Sequence, residues 1–228
     1  MVHNNSYLID NQQFILFFMK KNITNNQGLG IWTWDIIKII TLFSIVLFFG
    51  VFYSQGFNEE SNRLVIRLTA RMSGILFCLA FGASAFHAWI KNSFSWWVFM
   101  NRKFWGISFA LMHLVHLGFL VLLQQYFHPV FEKAATTSVM AGGLVYLFLG
   151  LMLLTSFPFF AKKITSKHWR ILHTVGGYWI WLIFIISYVK RVIHGSNEYI
   201  PLVLLFVTTI LLRIWGKWKK RKTLDVSR

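Results

Sequence analysis

The sequence predicts an all-α integral membrane protein, a bundle of about six transmembrane helices. Three observations carry this. Hydrophobic residues make up 56% of the chain and charged residues 13%, roughly half the charged share of an average soluble domain. Apolar runs near the roughly 20 residues needed to cross a bilayer recur along the whole chain, and mean hydropathy is +0.56. The hydrophobicity within each run is continuous rather than alternating, which selects helices over a barrel as the structure that satisfies its own backbone in lipid.

Taken in order, the first thirty residues contain FILFF followed by Lys20 and Lys21, with no small-residue cleavage site. Residues 12–19 therefore read as an interfacial segment rather than a signal peptide. Spans follow near 34–54, 72–90, 104–125, 139–160, 171–189 and 199–216, and a basic tail closes the chain. The organisation expected is an N-terminal cytoplasmic or interfacial segment over 1–30, one six-helix membrane domain over 31–216 and a cytoplasmic tail over 217–228. Pro129, Pro158 and Pro201 all fall near span ends, where a missing amide proton does least harm.

The net charge of +16 does not point to nucleic acid, because the cations lie between spans rather than along one soluble face. With both termini cytoplasmic, the inner segments hold Lys20, Lys21, Lys91, Arg102, Lys103, Lys162, Lys163, Lys167, Arg170, Arg213 and the tail Lys217, Lys219, Lys220, Arg221 and Lys222. The outer loops hold Lys133, Lys190 and Arg191, with Arg63 offset by Glu59 and Glu60. This asymmetry sets the orientation by the positive-inside rule. Lys38, Arg67 and Arg71 sit at or inside span ends, where long stems can snorkel. The location expected is the cell membrane, the inner membrane if the source is bacterial, and the lipid bilayer is the first partner. Cys78 is the one cysteine, so no disulfide framework or C-x-x-C relay exists.

Histidines inside the spans carry the chemistry. His113 and His116 lie in the third span, His87 near the inner end of the second, and His173 near the inner start of the fifth, after the basic turn KKITSKHWR. An intramembrane imidazole serves as metal or haem ligand, proton relay, or hydrogen-bond partner of a neighbouring helix. Seven acidic residues in the whole chain equip a proton relay poorly, and a single HxxH falls short of a non-haem iron site. Haem asks for one or two axial imidazoles, an apolar slot with small residues and cations for its propionates. Gly106, Gly118, Gly176 and Gly177 offer close approach, and Arg102, Lys103, Lys167 and Arg170 offer the cations.

RKFWGISFALMHLVH, where a basic pair precedes Gly106 and then His116, resembles the third helix of ferric reductase-like transmembrane domains. LTSFPFFAKKITSKHWRILHTVGGYWIWLIF, residues 154–184, resembles the same family's turn from fourth to fifth helix. The resemblance spans about residues 64 to 190. It implies electron transfer from a cytoplasmic flavin reductase, drawing on NAD(P)H, through haem b to a protein or small-molecule acceptor on the outer side. His116 matches the third-helix iron ligand and His173 the first fifth-helix ligand, while Arg102 falls at the inner position of the third helix, beside the haem. The family's second fifth-helix histidine, about 13 residues after the first, is replaced here by Ile186, with Ser187 next. One haem is expected, two if the outer site survives. Depth alone pairs His87 with His173, and His113 shares the His116 face. Any flavin is expected on a partner, since the chain ends soon after its last span. The alternative is a haem-free structural or assembly subunit that kept the fold, and a small-molecule transporter ranks third because no span is broken at its middle.

Overall fold

The structure, a computed structural model, describes residues 34–128 and 136–226. Among them all regular structure is helical: α1 Trp34–Gln55, α2 Glu59–Trp89, α3 Ser93–Met100, α4 Arg102–Leu122, α5 Thr136–Leu154, α6 Pro158–Ala161, α7 Ser166–Ile193 and α8 Ile200–Val226. A π-helical turn over Leu123–Phe127 extends α4, and a 3-10 turn over Asn197–Tyr199 leads into α8. Five of these helices are long and apolar enough to cross a membrane, and the described part of α5, Gly142–Leu154, is a shorter apolar helix. The protein is a multi-pass helical membrane bundle. The N-terminal segment over 1–30, with His3 and residues 12–19, lies outside the described residues, as do Pro129, Lys133 and the side chains of Lys219, Lys220, Arg221 and Lys222.

Five predicted spans each fall on one long helix, while the span expected over 139–160 divides into α5, ending at Leu154, and the short α6; two differences in length are informative. α2 begins at Glu59 rather than near residue 72. Its first turns are too polar for a hydropathy window, yet several polar groups there have local partners. Asn58 and Ser61 form a reciprocal capping box, the arrangement that satisfies amide protons left over at a helix start, and Arg63 pairs with Glu59 at 2.7 Å. Arg71, which sequence places awkwardly at a span end, reaches Glu198 at 3.2 Å and lies 4.4 Å above the Tyr199 ring. At the other extreme, α8 continues past residue 216 to Val226, so the basic tail prolongs the helix.

α2 is the central strut, packed chiefly against α4 and α8, while α5 and α7 pack on each other. Phenylalanines from four helices interlock at its middle: Phe77 lies 5.3 Å from Phe109, 6.0 Å from Phe184 and 5.8 Å from Phe206. Helices approach closely where a side chain is absent. Tyr188 of α7 occupies the position a Cβ on Gly74 would take, and its hydroxyl donates to the Ala70 carbonyl at 2.8 Å. Leu42, Phe43, Val46, Phe49 and Tyr53 of α1 are exposed, as expected where the solvent is hydrocarbon.

The connections gather at two ends. The basic end holds α3, α6, the starts of α4 and α7 and the latter part of α8. The opposite end holds the turns between α1 and α2 and between α7 and α8, the second of these made by Gly195 at φ +87°, the left-handed conformation that ends many helices.

Candidate functional site

A cavity of about 670 Å³ opens toward the basic end among α2, α4, α5, α7 and α8, within the range of small-molecule and cofactor sites. Small residues make room for it: Ala80, Ser84, Gly106, Ala110 and Gly177. A Cβ on Gly177 would meet the Phe81 ring at 3.0 Å. Arg102, Lys103, Arg170 and Arg213 supply positive charge, His173 is the imidazole of the lining, and no acidic side chain is among the lining residues. Arg102 lies 5.0 Å from the Phe99 ring centroid. Lys167, expected with these cations, is not part of the wall.

His173 is held on two sides. Its ring stacks on Trp169 one turn earlier, with centroids 4.1 Å apart, and its Nε2 lies 3.1 Å from Oγ1 of Thr155, just past the end of α5. The Thr155 hydroxyl donates to the Leu151 carbonyl at 2.7 Å. Its single proton is thus taken, and Nε2–H of His173 is the donor in the bond between them. Trp169 completes the link by donating Nε1–H to the Thr155 carbonyl at 3.1 Å.

The other three candidate histidines go elsewhere. His87 donates from Nδ1 to Ser95 Oγ at 2.9 Å and stacks on Phe99 at 5.7 Å. Ser95 is itself fixed by the Asn92 capping box that starts α3 and donates to the Ile90 carbonyl. His87 therefore serves the α2 to α3 corner and is absent from the cavity wall, so the pairing with His173 expected from depth is not formed. His113 and His116 lie at a second level, against α2. His116 Nδ1 sits 3.1 Å from the Ile66 carbonyl and 3.0 Å from Thr69 Oγ1, and a carbonyl can only accept, so Nδ1 carries the proton. His113 Nδ1 lies 3.2 Å from Ser73 Oγ, whose hydroxyl donates to the Ala70 carbonyl at 3.0 Å. The two rings are nearly parallel, 5.2 Å apart.

At that second level α7 sets an aromatic ring against α4. The Phe184 ring lies 5.3 Å from His113, and Tyr188 packs beside Phe184 at 5.6 Å. Ile186, where the family pattern has its second fifth-helix histidine, is 43% exposed and faces out of the bundle, and Ser187 is exposed too. Phe184 follows His173 by about three full turns and so takes the inward face. Gly118, expected to permit close approach, faces open space. Gly176 does bring helices together, with Met152 and Phe148 of α5 against it.

Sequence reading missed Arg213 and Thr155 as members of the site. Arg213 carried a signal, a guanidinium inside the apolar run LLRIW, where a charge wants a partner. Thr155 carried none beyond its place in the quoted threonine-serine pair. The wall combines apolar surface, cations and one imidazole, a set whose chemistry suits an apolar cofactor with carboxylate arms; a second imidazole is not brought to it among the described residues. No family model, no curated protein and no solved structure matches this chain, and the site is therefore read from its own residues.

Proposed function

We propose that the protein carries one b-type haem in the basic-end cavity and passes electrons through it, from a cytoplasmic flavin or NAD(P)H-dependent reductase to an acceptor across the membrane. Ferric reductase-like transmembrane domains work in this way, and the size and topology expected from the sequence resemble those of MsrQ, the haem-binding membrane subunit of a periplasmic methionine sulfoxide reductase system. The observation that carries this reading is a cavity of about 670 Å³ combining one imidazole, four cations and no carboxylate. Bound haem would supply one-electron chemistry between ferric and ferrous iron.

The chain's own residues have defined tasks. His173 is the imidazole that would hold the haem iron. A ring nitrogen bound to a metal carries no proton, so binding through Nε2 would replace the bond to Thr155 and put the ring's proton on Nδ1. Trp169, stacked on the ring, holds its plane. Arg102, Lys103 and Arg170 neutralise carboxylate arms toward water. Ala80, Gly106 and Gly177 leave the slot in which an apolar ring can lie.

A second reading, a haem-free structural or assembly subunit, is favoured by the filled level around His113, where Phe184 and Tyr188 stand. One experiment separates the two. A dithionite-reduced minus oxidised absorption spectrum of the purified protein, with pyridine haemochrome quantification, should show a sharp b-type band at about one haem per chain. Absence of haem after expression with ample haem supply would leave the subunit reading.

A further inference from the structure

We propose that Arg213 is the residue that binds a carboxylate of the cavity's ligand, so that the site selects an anionic porphyrin over a neutral one. This rests on the haem reading above and adds a ligand-selecting residue from the last helix. Of the four cations in the wall, Arg102, Lys103 and Arg170 are exposed and Arg213 alone is not. Its guanidinium carbon lies 3.8 Å from the Phe81 ring centroid and 5.4 Å from that of Tyr178, and it donates to the Phe81 carbonyl. Its Nε is buried and has no hydrogen-bond partner among the described residues.

A guanidinium whose purpose was only to escape hydrocarbon would extend to water, as Lys217 does one turn further along, exposed and 2.9 Å from the Tyr178 hydroxyl. Arg213 instead lies across an aromatic face with a donor sealed from solvent. A half-buried guanidinium that meets the Phe81 carbonyl and the Tyr178 hydroxyl has neutral partners. A charge held from water without a counter-charge is costly, and the described carboxylates do not supply one. Asp35 bonds Lys38, while Glu59, Glu60 and Glu198 stand at the opposite end. The missing negative charge is therefore expected from the ligand. Guanidinium is the side chain suited to a carboxylate, which it can meet with two parallel hydrogen bonds.

The test titrates full-length, haem-free protein in detergent with ferric haem and, separately, with its dimethyl ester, whose carboxylates are masked, following Soret absorbance. Wild type should bind haem more tightly than the ester. Arg213→Gln should weaken haem binding about ten- to a hundredfold, the scale of one charge-assisted bond, and leave ester binding unchanged. Arg213→Lys, which keeps the charge, should retain most of the preference and guards against a folding defect. Equal haem binding by wild type and Arg213→Gln would overturn the proposal alone, as would an equal loss of haem and ester in both variants. If wild type binds neither compound, the haem reading falls and this inference falls with it.

Discussion

The two histidine levels differ in what surrounds the same side chain. Around His173 small residues leave a cavity whose wall holds four cations; around His113 stand the rings of Phe109, Tyr146 and Phe184, and His113 is only 8% exposed. Both levels anchor imidazoles on hydroxyls already committed to helix carbonyls, Thr155 in one case and Thr69 and Ser73 in the other. An anchored histidine is thus no guide to a ligand site. Space and uncompensated charge beside it are the better guides.

The contrast can be broken most directly at its centre. His173→Ala should abolish the reduced-minus-oxidised haem band, while His116→Ala and His87→Ala leave it in place; a band that survives in His173→Ala and vanishes in His116→Ala would move the site to the packed level. Next in size, Phe184→Ala should lower stability by about 3–5 kcal/mol, because its ring bridges the phenylalanine core and His113. Helicity followed through denaturant unfolding would measure this, and a loss under about 1 kcal/mol would mean that the level is loosely filled. Gly74→Ala forces the Tyr188 hydroxyl from its place and its bond to Ala70, at a cost of about 1–3 kcal/mol in the same assay. An unchanged midpoint there would contradict the close approach of α2 and α7. Smallest is Thr69→Val, which removes a partner of His116 and should cost about 0.6 kcal/mol, the average for a hydrogen bond inside a membrane bundle. A much larger loss would contradict so modest a role for the Thr69 hydroxyl.

The helices were legible because hydrocarbon imposes one simple demand on every span, and continuous apolar runs answer it. Their lengths were less so. The first turns of α2 are polar and helical at once, held by Asn58, Ser61 and the Arg63 to Glu59 pair, and hydropathy cannot see such local bonds. Of the site, His173, Arg102, Lys103, Arg170, Gly106 and Gly177 were readable as one end of the bundle from topology and spacing. Depth alone could not say that His87 turns toward Ser95, since depth leaves rotation about the helix axis open. Nor could it place Arg213, which arrives from the last helix, far along the chain from the other wall residues.

The length of α2 has a mechanical consequence. At about 1.5 Å per residue, its 31 residues reach about 46 Å, well beyond the roughly 30 Å of hydrocarbon in a bilayer. α1, with 22 residues, reaches about 33 Å and has little to spare. A thicker membrane therefore strains the peripheral helix first, at a fraction of a kcal/mol per ångström of mismatch. The central helix has length to spare beyond its polar start and need not shift against α4, so Ser73 and Thr69 would keep their imidazoles, and Ala80 its place in the cavity wall, in membranes of different thickness.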